Sequence, residues 1–184
     1  MHVLTGDGNG KTTSAVGIAA RAAGRGMKAA FVQFLKGGLS SELPSLRKLG
    51  VRVISGTKHC PNQRKHRQQL AKSGFVIFCK GCFEINSADK KAVRKAFLEA
   101  KNIASEGKYS LVVLDEIFWA VREKLVDEEE LLGLIRGKHP SCELVLTGRG
   151  ATKKIEEAAD YVTYVCKGKH PFDRGVLARP GVDY

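Results

Sequence analysis

Short apolar runs alternate with longer amphipathic stretches along the whole 184-residue chain. The apolar runs are rich in Val, Ile, Leu and Phe, and they predict β-strands at residues 2–4, 29–34, 51–54, 111–114, 144–147 and 161–165. The amphipathic stretches predict helices at residues 11–23, 42–49, 88–105, 128–135 and 153–159. Repeated strand and helix units favour an α/β fold with a mostly parallel central sheet flanked by helices.

Local signals mark several of these boundaries. Gly24 and Gly26 suit the end of the first helix, Ser87 is a candidate cap for the third and Asp127 for the fourth. The least regular part, residues 55–86, is interpreted as a long excursion above the sheet within a single domain that spans residues 1–184. A loop of that length in a compact domain is usually functional.

Charge and hydropathy narrow the class of protein. The formal charge of +12 is typical of proteins that bind polyanions. The densest basic stretch, residues 58–72, has no aromatic residues that could stack on bases, so a solvated loop is favoured over a nucleic-acid patch. The chain has no apolar run of about 18 residues and does not open with a signal-peptide pattern, which predicts a cytoplasmic protein without a membrane anchor.

The stretch TGDGNGKTT lies between a predicted strand and a predicted helix and is close to the phosphate-loop pattern G-x-x-x-x-G-K-[ST]. Thr5 stands where the first glycine belongs. The three glycines would let the backbone approach a phosphate, Lys11 would reach phosphate oxygens, and the Thr12 hydroxyl would ligate Mg²⁺. The expected nucleotide contacts are Thr5, Gly6, Asp7, Gly8, Asn9, Gly10, Lys11, Thr12 and Thr13.

A second motif supplies acidic groups for the same site. The stretch LVVLDE is an apolar strand that ends in two carboxylates, and either Asp115 or Glu116 could face a metal ion. Together with the phosphate loop it predicts a nucleotide and Mg²⁺ site at the carboxyl ends of the strands. Lys36 and Arg149 also follow predicted strands, where they could lean toward a triphosphate or remain solvated loop cations.

The chain contains five cysteines, and a cytoplasmic setting argues against a disulfide framework. One His and three Cys in the irregular segment have spacings that could hold Zn²⁺ tetrahedrally, or the three thiolates could contribute to an iron–sulfur cluster. Unligated thiols are the alternative. Cys142 and Cys166 lie in or beside predicted strands, where a free Cys is more often part of the core. The candidate ligands are His59, Cys60, Cys79 and Cys82.

Five stretches, taken in order, resemble the ATP:corrinoid adenosyltransferases of the CobA/BtuR family: TGDGNGKTT, RAAGRGMKAAFVQFLKG, LVVLDE, VLTGRGA and KHPFDRGVLARPGVDY. They lie within residues 3–38 and 108–184. The KHPFD-G part of the last stretch is the most specific, because it is not a general feature of phosphate-loop proteins. The resemblance implies a P-loop NTPase fold of the RecA-like type, and the family is similar in having Thr at the position of Thr5.

The resemblance implies transfer of the 5′-deoxyadenosyl group of ATP to Co(I) of a reduced corrinoid, with release of triphosphate. It implies that Lys11 neutralises the triphosphate, that Thr12 and Glu116 hold Mg²⁺, that Asp115 supports them and that Arg149 lies near the nucleotide. Members of the family are similar in forming homodimers and in receiving electrons for cobalt from a reduced flavoprotein.

The chain departs from the family pattern at two places. Asn9 stands where the family loop has a lysine, which removes one phosphate-binding cation. In the middle segment, Phe78 and Phe83 are candidates to replace the two aromatic residues that the family places against the corrinoid. Two other functions stay open from the residues alone: another P-loop kinase or ATPase, which would leave ADP and phosphate, and a RecA-like nucleic-acid-binding module.

Overall fold

The computed structural model describes residues 1–36, 40–56, 60–73, 79–82, 84–176, 178–179 and 181–183. These residues form one six-stranded sheet of order β3-β2-β4-β5-β1-β6, in which all five pairings of neighbours are parallel. The predicted α/β class and the predicted strands are confirmed, with ends displaced by two residues or fewer. The strands are β1 (His2–Thr5), β2 (Ala29–Phe34), β3 (Arg52–Gly56), β4 (Leu111–Asp115), β5 (Glu143–Thr147) and β6 (Tyr161–Tyr164).

Helices flank the sheet, and the five that the sequence predicts are all present. Two more helices, α3 (Gln63–Ser73) and α5 (Ile117–Arg122), were not predicted. The first is almost entirely polar, and the second is short and directly follows β4. No helix in the described part of the chain combines the length and the apolar character that crossing a bilayer requires. The helices are α1 (Lys11–Gly24), α2 (Glu42–Lys48), α3 (Gln63–Ser73), α4 (Ser87–Ser105), α5 (Ile117–Arg122), α6 (Glu128–Gly137) and α7 (Lys153–Glu157), with 3₁₀ turns at Lys80–Cys82 and Pro171–Arg174.

The core lies on both faces of the sheet. On one face Phe31 of β2 packs in a cluster with Ala15 of α1, and on the other Phe34 packs in a cluster with Phe97 of α4. Because the central strands are covered on both faces, they read as continuous apolar runs rather than as alternating patterns. The edge strand β6 differs from these central strands, since all four of its residues are exposed.

The five predicted helices have ends displaced by two residues or fewer, and the caps predicted for them are confirmed except at one helix. Asp127 caps α6 by accepting a 2.8 Å hydrogen bond from the backbone N–H two residues on, and Gly24 and Gly26 end α1, with Gly26 at φ 73°. The prediction that Ser87 caps α4 is wrong. Asn86 is the cap, because its extended backbone lets its side chain accept from the N–H groups two and three residues further on.

The parallel arrangement brings the predicted motifs to one edge. The phosphate loop follows β1, the two carboxylates lie at the end of β4, and the loop with Lys36 follows β2. Strand β5 pairs with both β1 and β4, so these strand ends are close neighbours. The carboxyl edge of the sheet is therefore where a functional site can form.

Candidate functional site

The loop after β1 curls around the side chain of Lys11. The Lys11 ammonium donates hydrogen bonds of 2.7 Å to the carbonyl oxygens of Gly6 and Gly8, and the residue is only 6% exposed. Burial lowers the pKa of Lys11, because desolvation disfavours its charged form. The loop thus holds a positive charge at the N-terminal end of α1, as the motif predicts.

Two of the loop glycines are required by packing against the chain that follows β6. The backbone N–H of Gly8 donates to the Val165 carbonyl at 2.7 Å. A Cβ on Gly6 would lie 2.5 Å from the Val165 oxygen, and one on Gly8 would lie 2.6 Å from the carbonyl of Cys166. The backbone conformation also favours glycine at Gly6, with φ 107°, and at Gly10, with φ 117°. The phosphate-loop pattern predicts these glycines from their approach to a phosphate and gives no sign of their contact with Val165 and Cys166.

Thr5, at the position of the missing first glycine, has a contact of its own. The residue is buried, and its hydroxyl accepts a hydrogen bond of 3.3 Å from the backbone N–H of Ala151. Ala151 belongs to the loop after β5, so this bond ties the ends of two neighbouring strands together. A glycine could not supply that acceptor, and the irregularity of the motif therefore has a structural use.

Asp115 is the centre of a polar network beneath the loop, and it is fully buried. One carboxylate oxygen accepts from the hydroxyls of Thr12 at 2.8 Å and Thr147 at 2.7 Å. The other accepts from Gln33 at 3.1 Å and pairs with the Lys36 ammonium at 3.1 Å. Both oxygens are thus engaged by protein donors, which favours a supporting role for this residue.

Lys36 lies inside this network, so it is not a solvated loop cation. Its ammonium donates to the Thr12 hydroxyl at 2.9 Å and pairs with Glu42 at 3.3 Å. Burial alone would lower the pKa of Lys36, but the carboxylates of Asp115 and Glu42 outweigh it and raise the pKa. Glu42 also accepts from Gln33 at 2.9 Å. Gln33 and Glu42 were not predicted as site residues, although a glutamine inside a buried apolar strand is a signal for a polar network.

Glu116 faces the site from the turn between β4 and α5. It adopts φ 60°, and its backbone N–H donates to the Thr147 hydroxyl at 3.0 Å. Burial and the neighbouring charge of Asp115 raise the pKa of Glu116. Arg149 is exposed on the loop after β5, where its guanidinium donates to the Asp7 carbonyl at 3.3 Å.

These groups surround a cleft of about 500 Å³, a volume typical of small-molecule sites. The loop from Asp7 to Thr13 lines it together with Lys36, Glu116 and Arg149, whereas Thr5 and Gly6 lie outside the lining. The structure therefore brings together all but two of the predicted nucleotide contacts. Residues of α1, of α2 and the chain before it, and of the C-terminal stretch complete the lining and were not predicted as site residues, although the KHPFDRG motif was a signal for His170: Val16, Ser40, Ser41, Glu42, Ser45, His170, Gly181, Val182 and Asp183.

Three of the four predicted metal ligands are among the described residues. Cys60, Cys79 and Cys82 lie together, and His66 of α3 joins them. A hydrogen bond from the side-chain amide of Asn62 lowers the pKa of the Cys79 thiol to about 6, whereas burial raises the pKa of Cys82 to about 12. His66 was not predicted as a ligand, because it lies in the basic stretch and no periodic pattern marks it.

Some predictions on the cysteine-containing segment are not addressed by the described residues. His59, Phe78 and Phe83 lie outside them. Cys142 is buried in the core, as predicted, and burial raises the pKa of its thiol. The same prediction is wrong for Cys166, which is exposed, because it lies just beyond the exposed edge strand β6.

Comparison with known proteins covers the whole chain. Residues 1–184 match the family model described as "ATP:corrinoid adenosyltransferase BtuR/CobO/CobP". The chain is 32% identical over 183 residues to the corrinoid adenosyltransferase of Escherichia coli K12, covering 99% of this chain and 84% of that protein. The same values hold for the corrinoid adenosyltransferase CobA of Salmonella typhimurium. The corrinoid adenosyltransferase of Pseudomonas aeruginosa is 31% identical over 188 residues, covering 100% of this chain and 83% of that protein.

Proposed function

The chain belongs to the ATP:corrinoid adenosyltransferase family, and on that premise we propose that it transfers the 5′-deoxyadenosyl group of ATP to the cobalt of a reduced corrinoid. In this reaction Co(I) of the substrate attacks C5′ of the ribose and forms a Co–C bond, while the C5′–O bond breaks and inorganic triphosphate leaves. The observation that supports the proposal most is the cleft at the carboxyl edge of the sheet, where the loop after β1 meets Lys36 and Glu116.

The chain's contribution to this reaction is to bind and neutralise the leaving group. Triphosphate gains negative charge as the C5′–O bond breaks, and Lys11 lies at the loop where that charge would develop. The backbone N–H groups at the start of α1 point toward the same loop. The N-cap residue is Gly10, which has no side chain to accept from them. The reaction needs no side-chain nucleophile or general base, since the substrate cobalt is the nucleophile.

The side chains beside the loop fit Mg²⁺. The hydroxyl of Thr12 and the carboxylates of Asp115 and Glu116 are hard oxygen donors, which this ion prefers. We assign Thr12 and Glu116 as the ligands and Asp115 as their support, because both Asp115 oxygens already accept from protein donors. When bound, Mg²⁺ would add positive charge to the site of the triphosphate.

The family resemblance is the basis for further parts of the proposal. We propose a single domain over residues 1–184 of the RecA-like P-loop type, with Thr5 to Thr13 and Arg149 around the nucleotide. A homodimer, a cytoplasmic location and a reduced flavoprotein as the electron donor for cobalt belong to the same proposal. The described residues support only its geometric part, through the loop, the parallel sheet and the cleft.

The test is an anaerobic incubation with Mg·ATP and chemically reduced cobalamin. The corrinoid spectrum reports the Co–C bond, and chromatography of the nucleotide and phosphate products reports which bond of ATP breaks. We expect adenosylcobalamin and triphosphate in equal amounts. Lys11→Ala should lower the rate by about 100-fold or more, because it removes a charge that stabilises the leaving group.

Lys101→Ala is the matched control, since Lys101 is an exposed lysine on α4, on the other face of the sheet from α1. Its rate should equal that of the unchanged protein. Release of ADP and phosphate without a Co–C bond would overturn the proposal in favour of a kinase or ATPase. Unreacted ATP in the presence of Co(I) would overturn it as well.

A further inference from the structure

Three thiols and one imidazole converge outside the nucleotide cleft. Cys60 follows β3, His66 lies on α3, and Cys79 and Cys82 flank the turn before α4. Among the described residues these side chains form a metal-ligand group whose donor atoms all lie within 4.8 Å of one another. Three separate segments thus contribute to one cluster.

The distances in the cluster match a tetrahedral site. With Zn–S of about 2.3 Å and Zn–N of about 2.0 Å, two sulfurs should be about 3.8 Å apart and sulfur and nitrogen about 3.5 Å apart. The Cys79 sulfur lies 3.5 Å from Cys60 and 3.9 Å from Cys82. The Nε2 atom of His66 lies 3.5 Å from the Cys60 sulfur and 3.2 Å from the Cys82 sulfur. Four of the six donor separations are therefore close to those of a tetrahedral site, and the other two are no longer than 4.8 Å.

Other uses of these cysteines fit less well. All three are free thiols, and a sulfur separation of 3.5 Å is too long for a disulfide, whose bond is about 2.05 Å. A cluster of two or four irons binds its ligands on different irons and spreads them further apart than this compact set. A single ion with four protein ligands is what the geometry accommodates.

The surroundings orient the ligands. The backbone N–H of Asn62 donates to the Cys60 sulfur at 3.4 Å, and its side-chain amide donates to the Cys79 sulfur at 3.5 Å. The Nδ1 atom of His66 faces the Gln69 oxygen at 3.5 Å, and an amide oxygen can only accept, so Nε2 is left with its lone pair toward the sulfurs. Hydrogen bonds to thiolates and a second partner for the imidazole are typical of metal sites.

Helix α3 supplies an independent reason for a metal. Of its residues whose side chains are described, His66 is the single buried one, and the others are exposed or half-buried. A helix with no apolar face gains little from packing, and 11 residues are too few for stability in isolation. Among the described residues, the cluster is a contact that can hold α3 on the protein.

We propose that Cys60, His66, Cys79 and Cys82 bind one Zn²⁺ in a closed, four-coordinate structural site. The ion displaces the thiol protons and cross-links the chain after β3, helix α3 and the turn before α4. Strand β3 ends at the carboxyl edge of the sheet and pairs with β2, which leads to Lys36 of the cleft, so the zinc fixes a segment that leaves the sheet one strand away from that residue. The role is structural, since all four positions are filled by protein ligands.

Elemental analysis of the full chain, purified without air and without chelators, tests the proposal directly. We expect about one zinc ion per chain and no acid-labile sulfide. Cys79→Ser and His66→Ala should lower the zinc content, and Cys166→Ser should retain it, because Cys166 lies outside the cluster. Protein that holds no zinc and takes up none when Zn²⁺ is supplied would overturn the proposal, as would iron together with sulfide.

Two further measurements do not depend on how the variants fold. Replacement of zinc by Co²⁺ in the unchanged protein should produce the intense visible bands of a tetrahedral thiolate site, and an octahedral spectrum would contradict the ligand set. Removal of the ion by a chelator should open α3 to trypsin at Arg64, Lys65, Arg67 and Lys72. Equal cleavage of these bonds before and after chelation would overturn the structural role.

Discussion

The hydroxyl of Thr12 donates a 2.8 Å hydrogen bond to the buried carboxylate of Asp115, across 103 positions of sequence. The ammonium of Lys36 donates to the same hydroxyl at 2.9 Å and pairs with the same carboxylate at 3.1 Å. The chain segments that follow β1, β2 and β4 are thus joined by one polar network beneath the cleft. The geometry of the site depends on this network staying paired.

Replacement of Asp115 by Asn should destabilise the protein by about 2–3 kcal/mol, because it leaves the largely buried Lys36 with one carboxylate partner fewer. The new amide also brings N–H donors close to the hydroxyls of Thr12 and Thr147. In the unchanged protein both hydroxyls donate to one oxygen of Asp115. Urea unfolding measures the loss. Glu106→Gln is the control, since its exposed pair with Lys108 should contribute less than about 1 kcal/mol. Equal stabilities for the two variants would contradict the role of the network.

Gly8→Ala should destabilise the protein by about 1–3 kcal/mol, because the new Cβ would lie 2.6 Å from the backbone of Cys166. Gly17→Ala is the matched change in α1, where nothing lies within 4 Å of the added carbon. It should stabilise the protein by about 0.5–1 kcal/mol, since alanine favours the helix. Thermal and urea unfolding measure the loss of stability in one variant and the gain in the other. A Gly8→Ala protein as stable as the unchanged one would show that the loop can move away from Cys166.

Restoring the regular phosphate-loop motif with Thr5→Gly should destabilise the protein by about 1–2 kcal/mol. The change removes the acceptor for the Ala151 N–H and adds backbone freedom to the unfolded chain. Thr5→Ser keeps the hydroxyl and should stay within about 1 kcal/mol of the unchanged protein. If urea unfolding found the glycine variant as stable as the serine variant, the contact with Ala151 would have no energetic role.

The raised pKa of Glu116 makes stability depend on pH. A carboxyl with a higher pKa in the folded state binds its proton more tightly there, so its contribution is present at low pH and is lost as the pH rises from the ordinary glutamate value of about 4.3 through the folded value. Glu116→Gln should remove this loss and raise the free energy of unfolding at neutral pH relative to the unchanged protein.

Urea unfolding across that pH range, with Glu130→Gln as the control, measures the effect. The pKa of Glu130 is lowered by its hydrogen bond from Arg94, so its contribution has the opposite sign. A difference between Glu116→Gln and the unchanged protein that does not vary with pH would contradict burial as the cause of the shift.

Much of the site was predictable because its motifs are local. The stretch from Thr5 to Thr13 carries the phosphate-loop pattern, and the two carboxylates after β4 end an apolar run that is visible in the sequence. The role of Lys36 was left open, since a cation after a strand can be solvated or buried. Its burial beside Asp115 follows from the pairing of β2 with β4, which no local pattern specifies.

The sequence by itself determined the alternation of strands and helices, their parallel arrangement and the nucleotide loop, because these follow from hydrophobic periodicity and from residues adjacent in the chain. Only the tertiary structure decided that Gly8 must be small against Cys166, that Thr5 holds Ala151 and that His66 joins the three cysteines. These contacts join residues from separate segments, and the order of the strands and the path of the loops determine which side chains meet.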